Sequence, residues 1–219
     1  MKILALALAG TLGFNGFAPA QSQTPVPTPR QVVETLVCVR HGELTSKEIG
    51  QLDIRGLNRS LALPHVLISK YGPPGFIFAP NPAETIGENR CYVRPLATIE
   101  PTAILCGLPV DTRFGFRDNQ ALETEIRKPL YRNSLIFIAW EHATLESFVR
   151  LLVRDIGGDP AKVPVWADDD YDSIYVVKIT TCGTRASVVF MLDHEELNGL
   201  SKDFPYPAAH ADHLQVTDR

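Results

Sequence analysis

The sequence predicts an α/β fold, a three-layer α/β/α sandwich around a mostly parallel central sheet. Short apolar runs rich in β-branched residues alternate with segments of helical period along most of the chain. The two clearest runs, at 35–39 (TLVCV) and 134–140 (SLIFIAW), are apolar at nearly every position. Such runs are typical of strands that are buried on both faces. Strands that alternate with helices favour a sheet covered by helices on both sides.

The first five elements alternate strand and helix. They are, in order, a strand at 35–39, a helix at 56–71 that ends before Gly72-Pro73-Pro74, a strand at 75–79 (GFIFA), a helix at 95–106 with an early proline, and an edge strand at 108–112.

The remaining elements complete the sandwich and end in a pair of strands. They are a helix at 120–131, the strand at 134–140, an amphipathic helix at 144–156 closed by Gly157-Gly158, and a predicted β-hairpin of 173–180 with 186–192.

The composition sets the class of protein. The chain has 219 residues, a formal net charge of −4, 45% hydrophobic residues and 21% charged residues. This is enough apolar content for one sizeable core, and it excludes a disordered tail, a fibre and a disulfide-dense miniprotein. The sequence pI near 5.9 disfavours a nucleic-acid binder held by bulk charge.

The ends of the chain are predicted to lie outside this domain. Residues 1–20 combine one basic residue, a short apolar run and a small-x-small end, as a secretory signal peptide does. Residues 21–30 (QSQTPVPTPR) read as a Pro-rich linker, 31–195 as the domain and 196–219 as a polar tail. We therefore expect an exported protein, periplasmic or extracellular. No other apolar run is long enough for stable membrane insertion.

Four cysteines become relevant in an oxidising compartment. Cys38, Cys91, Cys106 and Cys182 allow three full disulfide pairings, and the sequence does not choose among them. No Cys-x-x-Cys motif and no Cys/His cluster is present, so no metal site is predicted.

Two predicted strands run directly into histidines. The strand at 35–39 is followed by Arg40-His41, and the strand at 134–140 by Glu141-His142. Ligands of open α/β sheets bind beyond the carboxyl ends of the strands. If these two strands are parallel neighbours, His41 and His142 converge at one edge of the sheet.

The residue types at this edge suit phosphoryl transfer. Arg40 offers a planar fork of donors for phosphate oxygens, and Gly42 lets the backbone approach an anion closely. A helix that begins near Ala143 would aim free N–H groups at the same place. A neutral imidazole such as that of His41 is a competent nucleophile. Phosphoryl transfer needs mainly positioning and charge stabilisation, which an Arg/His cluster supplies.

Four segments resemble the motifs of a known family, in the family's own order. They are VRHGE at 39–43, GLNRSLAL at 56–63, RPLATIEPTA at 94–103 and IAWEH at 138–142. Together they resemble the histidine phosphatase superfamily, which has the phosphoglycerate-mutase-like fold, and they extend through most of the domain. With residues 1–20 they indicate a secreted, bacterial-type member.

The resemblance implies a role for each matching residue. His41 would be the nucleophile and would form a phosphohistidine. Arg40, Arg94 and His142 would surround the transferred phosphoryl group, and water would then hydrolyse the intermediate. Such sites use no metal and no organic cofactor, and the partner is a small phosphorylated substrate.

The sequence also departs from the family. Lys47 stands where many members carry asparagine, and Ala143 stands where the acid phosphatase branch places its aspartate proton donor. The donor therefore stays open among Glu123, Glu125 and Glu141. The mutase-like branch takes its donor from a glutamate between the second arginine and the last core strand, where Glu123 and Glu125 lie, and we favour Glu123. Glu141 precedes the histidine and should point to the other side of its strand.

The leading functional prediction is a secreted, metal-independent phosphomonoester hydrolase. The alternative is a phosphoanion-binding protein of the same fold with little or no turnover, because the aspartate after His142 is missing. Specificity is expected to lie in the loops at 44–55 and 107–119. The acidic residues at 168–170 are expected to form an exposed negative loop. The substrate and the oligomeric state are left open.

Overall fold

The structure is a computed structural model, and it describes residues 30–45, 49–87 and 89–205. The predicted signal peptide, residues 21–29 of the predicted linker, Lys47 and residues 206–219 of the predicted tail lie outside the described residues. Within the described ranges, every helix is too short or too polar to span a bilayer.

Eight strands and four helices are described. The strands are β1 (Gln31–Arg40), β2 (Phe76–Phe78), β3 (Thr85–Ile86), β4 (Arg90–Cys91), β5 (Val110–Asp111), β6 (Leu135–Trp140), β7 (Ser173–Cys182) and β8 (Arg185–His194). The helices are α1 (Ile54–Tyr71), α2 (Arg94–Cys106), α3 (Asn119–Ile126) and α4 (His142–Asp155).

Six strands form one mixed sheet in the order β5-β2-β6-β1-β7-β8. The first four run parallel, whereas β7 pairs antiparallel with β1 and with β8. The predicted hairpin is therefore the antiparallel edge of a mostly parallel sheet. The short pair β3–β4 stands apart, and two-residue strands are too brief to show a periodicity.

Helices cover both faces of the sheet, which confirms the three-layer prediction. Successive side chains of a strand point to opposite faces, so each apolar run serves two cores. One core joins Val37 and Phe137 to leucines of α1 and aliphatic residues of α2. The other joins Leu36 and Ile136 to α3 and α4.

The third helix is shorter than predicted. It ends at Ile126, and residues Pro129–Tyr131 form a separate 3₁₀ turn. Lys128, which precedes the proline, is extended, with φ −66° and ψ 149°. A residue before proline is displaced from the helical region by the proline ring, which explains the break.

The cysteines show no common pattern of burial. Cys38 is a fully buried free thiol on β1, where burial raises the pKa of its sulfhydryl. Cys91 and Cys106 are also free thiols, one exposed and one half-buried, and Cys182 is exposed at the end of β7.

A buried cluster of ionisable side chains connects α1 to the loop after β1 and to the segment after β8. Arg59 is fully buried and donates to the two carboxylate oxygens of Glu43, from Nε at 3.0 Å and Nη2 at 2.9 Å. Its Nη1 donates to the carboxylate of Glu195 and lies 3.9 Å from Asp172. Burial raises the pKa of Glu195 to about 8, against the lowering effect of Arg59. Burial therefore favours the protonated form of Glu195 more than it does for an exposed glutamate.

The raised pKa makes stability depend on pH. An unfolded glutamate, with the ordinary pKa of 4.5, loses its proton well below the folded value of about 8. The folded state then binds more protons than the unfolded state, so the free energy of unfolding falls as pH rises between those values. In Glu195→Gln, a neutral amide replaces the carboxyl, and this contribution disappears. Urea denaturation at pH 5, 6.5 and 8 should show a variant-minus-wild-type difference that increases with pH.

The matched control is Glu196→Gln, which changes the neighbouring exposed glutamate. Its difference from wild type should stay constant with pH. A constant difference for Glu195→Gln as well would contradict the protonated state of Glu195.

Candidate functional site

The ends of β1 and β6 bring the two histidines to one edge of the sheet. The strands are parallel neighbours, and Arg40 pairs in register with Trp140. The amide of His41 donates to the Trp140 carbonyl at 3.0 Å, so the two chains leave the sheet side by side. His142 lies two residues after Trp140, as the first residue of α4. The parallel pairing of β1 and β6 thus brings His41 and His142 to the same edge of the sheet.

The ring of His41 is held in one tautomer. Its Nδ1 lies 2.8 Å from the carbonyl oxygen of Gly42. A carbonyl oxygen only accepts hydrogen bonds, so Nδ1 carries the proton and Nε2 keeps its lone pair. His41 is 2% exposed, and burial, with the nearby charges of Arg94 and Arg40, lowers its pKa to about 3. His41 is therefore a neutral imidazole at physiological pH.

Arg94 presents unsatisfied donors next to this ring. It is the first residue of α2 and is 8% exposed. Its Nε and Nη1 are buried and have no hydrogen-bond partner among the described residues. Its guanidinium carbon lies 4.7 Å from the ring centroid of Tyr92. Buried charged donors without a partner are costly, so this arrangement indicates an anionic ligand.

Arg40 is held by the acidic loop that precedes β7. Its Nη1 donates to the carbonyls of Ala167 (3.3 Å), Asp168 (2.6 Å) and Asp170 (3.0 Å). Its guanidinium carbon lies 3.9 Å from the ring centroid of Tyr171. Its Nε is buried without a hydrogen-bond partner in the described part of the chain. The loop therefore wraps Arg40, whereas the sequence predicts only an exposed negative loop there. The acidic side chains do not predict this contact, because main-chain carbonyls make it.

His142 lies between two carboxylates. Its Nδ1 is 2.7 Å from Glu141 Oε1, and its Nε2 is 2.9 Å from Asp168 Oδ1. Glu141 raises the pKa of His142, burial opposes this, and Asp168 raises the pKa further. His142 is thus favoured as an imidazolium, in contrast to His41.

The sequence predicts that Glu141 points away from the site, but the structure places its carboxylate beside His142. Strand β6 ends at Trp140, so Glu141 caps α4 instead of continuing the alternation of the strand. Its carboxylate accepts from the amides of Ala143 (3.1 Å) and Thr144 (2.8 Å). These amides, expected to face a phosphate, are therefore already bonded.

The cap also fixes the charge of Glu141. Burial raises the pKa of this carboxyl, but His142 and the amides of Thr144 and Ala143 outweigh burial and lower the pKa to about 2. Glu141 carries no proton to donate at neutral pH.

Gly42 has a structural role in place of the predicted phosphate-binding one. Its amide donates to Thr98 Oγ1 at 2.9 Å and is not open to a ligand. A Cβ at this position would lie 3.0 Å from the Cα and carbonyl oxygen of Gly56. The loop after β1 approaches α1 so closely that this position requires glycine. Thr98 connects Gly42 to α2, and its hydroxyl donates to the Arg94 carbonyl at 2.8 Å.

The other two candidate glutamates bond to residues away from the histidines, and Glu125 also pairs with Arg113 at 3.3 Å. Glu123 accepts from Arg127 at 3.1 Å. Glu125 accepts from Lys128 at 2.5 Å and from Tyr131 at 2.8 Å. No described contact joins either carboxylate to the histidines. The structure thus brings together four predicted site residues, Arg40, His41, Arg94 and His142, and leaves Glu123 apart from them.

The described residues contain no group of three or more His, Cys, Asp or Glu side chains placed to hold a metal ion. No protein-family model matches the chain. No curated protein matches it either.

Three solved structures that resemble the chain are described as phosphatases. One, described as a candidate phosphohistidine phosphatase (SixA) from Nakamurella multipartitia, has a TM-score of 0.48 and 15% identity, over 74% of this chain and 96% of that one. A candidate SixA from Agrobacterium tumefaciens has a TM-score of 0.46 and 11% identity, over 72% of this chain and 97% of that one. A phosphoserine phosphatase variant from Entamoeba histolytica, in complex with phosphoserine, has a TM-score of 0.46 and 10% identity, over 75% of this chain and 98% of that one. At these values the likeness decides nothing about activity, which has to be inferred from the site residues.

The contact between Asp168 and His142 is testable by titration. In Asp168→Asn, one of the two carboxylates beside the imidazole becomes neutral, so the pKa of His142 should fall. NMR titration, with the His142 signal assigned by its loss in His142→Gln, measures this pKa. Asp169→Asn is the control, because no described contact joins that exposed neighbour to His142. Equal His142 pKa values in wild type and Asp168→Asn would contradict the contact.

Proposed function

We propose that the protein is a phosphomonoester hydrolase that acts through a phosphohistidine on His41. One observation carries the proposal: a neutral, buried imidazole whose Nε2 lone pair is available, beside two buried arginines with unsatisfied N–H groups. The lone pair supplies the nucleophile, and Arg40 and Arg94 supply fixed positive charge for a phosphoryl group.

In the first step, Nε2 of His41 attacks phosphorus. The N–P bond forms as the ester P–O bond breaks, and the leaving oxygen takes a proton from the His142 imidazolium. The ring of His41 becomes positively charged in this step. Its Nδ1–H bond to the Gly42 carbonyl stabilises that charge, because a hydrogen bond from a cation is stronger than one from a neutral ring.

In the second step, water attacks the phosphoryl group. The P–N bond breaks, the water oxygen bonds to phosphorus, and the neutral His142 accepts a proton of the water. Inorganic phosphate leaves, and both histidines return to their starting charge. His142 thus acts as general acid and then as general base.

His142 replaces Glu123 as the proposed proton donor. Glu123 is bonded to Arg127, and Glu141 is ionised at neutral pH. Of the two site histidines, His142 is the one whose pKa is raised toward the proton-carrying form. A general acid needs that state at the working pH.

The proposal includes metal independence and export. The arginine pair provides the positive charge that a metal ion provides in other phosphatases. Export is supported by the sequence of residues 1–20 alone, and it would place the activity in the periplasm or outside the cell.

One observation favours the alternative, a phosphoanion-binding protein with little turnover. Asp168 already bonds Nε2 of His142, and this bond has to break before His142 can protonate a leaving group. Measured turnover separates the two functions.

The direct experiment is phosphate release from p-nitrophenyl phosphate after exhaustive chelation. We expect turnover by the wild type, none by His41→Ala, and a loss of about 10²–10⁴-fold in His142→Gln. His65→Ala, which changes an exposed histidine on α1, is the matched control and should be fully active. Full activity of His41→Ala would refute the nucleophile. Absence of turnover across a panel of phosphoesters, with vanadate raising the Tm, would support the binding protein.

The pH profile of kcat/KM tests the charge states. His41 must be neutral and has a pKa of about 3, whereas His142 must be protonated and has a pKa raised above 6.5. We expect kcat/KM to fall with rising pH, with a midpoint above 6.5, and no loss on the acid side until far below 6. Glu141→Gln, which keeps an acceptor oxygen for the cap, should move the alkaline midpoint to lower pH. An acid limb near 6.5 would contradict the neutral His41.

A further inference from the structure

A cavity of about 630 Å³ lies between the start of α1, the first turns of α2 and the segment that follows β8. Its walls include Thr45, Arg55, Ala97, Lys202 and Phe204. None of these side chains has a part in the chemistry proposed above.

The cavity adjoins the phosphoryl site through shared backbone. Ala97 immediately precedes Thr98, whose hydroxyl accepts from the amide of Gly42. Thr45 follows Leu44, which bridges to Leu52 in the loop that leads from His41 to α1. The residues of the cavity wall are therefore close sequence neighbours of residues that contact the loop of the nucleophile.

Electrostatics also connects the cavity to the site. Asp53, on the cavity wall, acts on the hydroxyl of Tyr171, the ring that packs over Arg40. The carboxylate of Asp53 itself is engaged, because it accepts from the Gly56 amide at 2.7 Å as the N-cap of α1.

Two polar atoms of the cavity wall lack partners among the described residues. Nε of Arg55 and Oγ1 of Thr45 are buried and have no hydrogen-bond partner within the described ranges. Lys202 adds a second cation to the wall, while Ala97 and Phe204 make part of it apolar. This combination suits a group with an apolar body and an anionic oxygen.

We propose that the cavity binds the leaving group of the substrate, and that the substrate is a phosphomonoester of an alcohol or phenol that carries a second anionic group. The phosphoryl group lies at His41, and the second anionic group bonds Arg55. This inference rests on the proposed phosphatase function and names its substrate class.

The test compares two esters that differ in one charge, 4-carboxyphenyl phosphate and phenyl phosphate. Arg55→Met keeps the apolar length of the side chain and removes its donors. We expect kcat/KM for the carboxylated ester to fall about tenfold or more, mainly through KM, and kcat/KM for phenyl phosphate to change less than twofold. Arg185→Met, at the exposed start of β8, is the matched control and should change neither value.

A second readout separates this inference from the phosphatase function. In the His41→Ala background, which cannot form the phosphohistidine, calorimetry gives the Kd of each ester with and without Arg55→Met. The same selective tenfold loss is expected there, even if the wild type shows no turnover. Lys202→Met, on the exposed segment after β8, should also weaken the carboxylated ester selectively. Equal losses for both esters, or no loss for either, would overturn the inference.

Discussion

The fold around the site depends on one buried ion pair, the two-pronged bond from Arg59 to Glu43. Glu43 lies two residues after His41, on the loop that leaves β1, and Arg59 lies in the second turn of α1. Breaking such a pair leaves an uncompensated buried charge, which is strongly unfavourable. The loop that carries the nucleophile is therefore fixed to the helix beside it. The backbone contact between Gly42 and Gly56 is the steric counterpart of this electrostatic constraint, since both require the loop and the helix to touch.

The two site arginines are held in different ways, and the difference suits their proposed work. Arg40 is bonded by one nitrogen to three carbonyls and stacks on Tyr171, so its position is set by the chain before any ligand arrives. Arg94 keeps two buried nitrogens unsatisfied, so a ligand anion supplies what the fold does not. A chain with a formal net charge of −4 attracts an anionic ester only through such a local concentration of positive charge.

The sequence predicts the framework well because periodicity and burial determine it. The apolar runs at 35–39 and 134–140 became adjacent parallel strands, and this pairing alone brings His41 and His142 to one edge. The expectations that were wrong concern contacts that periodicity does not determine. Glu141 caps the helix that follows it, through amides two and three residues along the chain. Gly42 bonds Thr98 of α2 and lies against the backbone of Gly56 in α1. Main-chain carbonyls of residues 167, 168 and 170 bond Arg40, and any residue type supplies such a carbonyl. The composition of this segment therefore predicts only an acidic loop.

The bond from Asp168 to His142 gives the resting site an anion of its own. The carboxylate is 99% exposed, yet it occupies the imidazole nitrogen that a phosphate oxygen would need. Because the loop is part of the chain, this carboxylate is present at an effective concentration on the order of millimolar whatever the surroundings contain. In the proposed reaction, the incoming phosphate and the phosphate that is released both compete with Asp168 for this nitrogen. Under the proposed function, Asp168 is thus a tethered counterion that a ligand has to displace from His142.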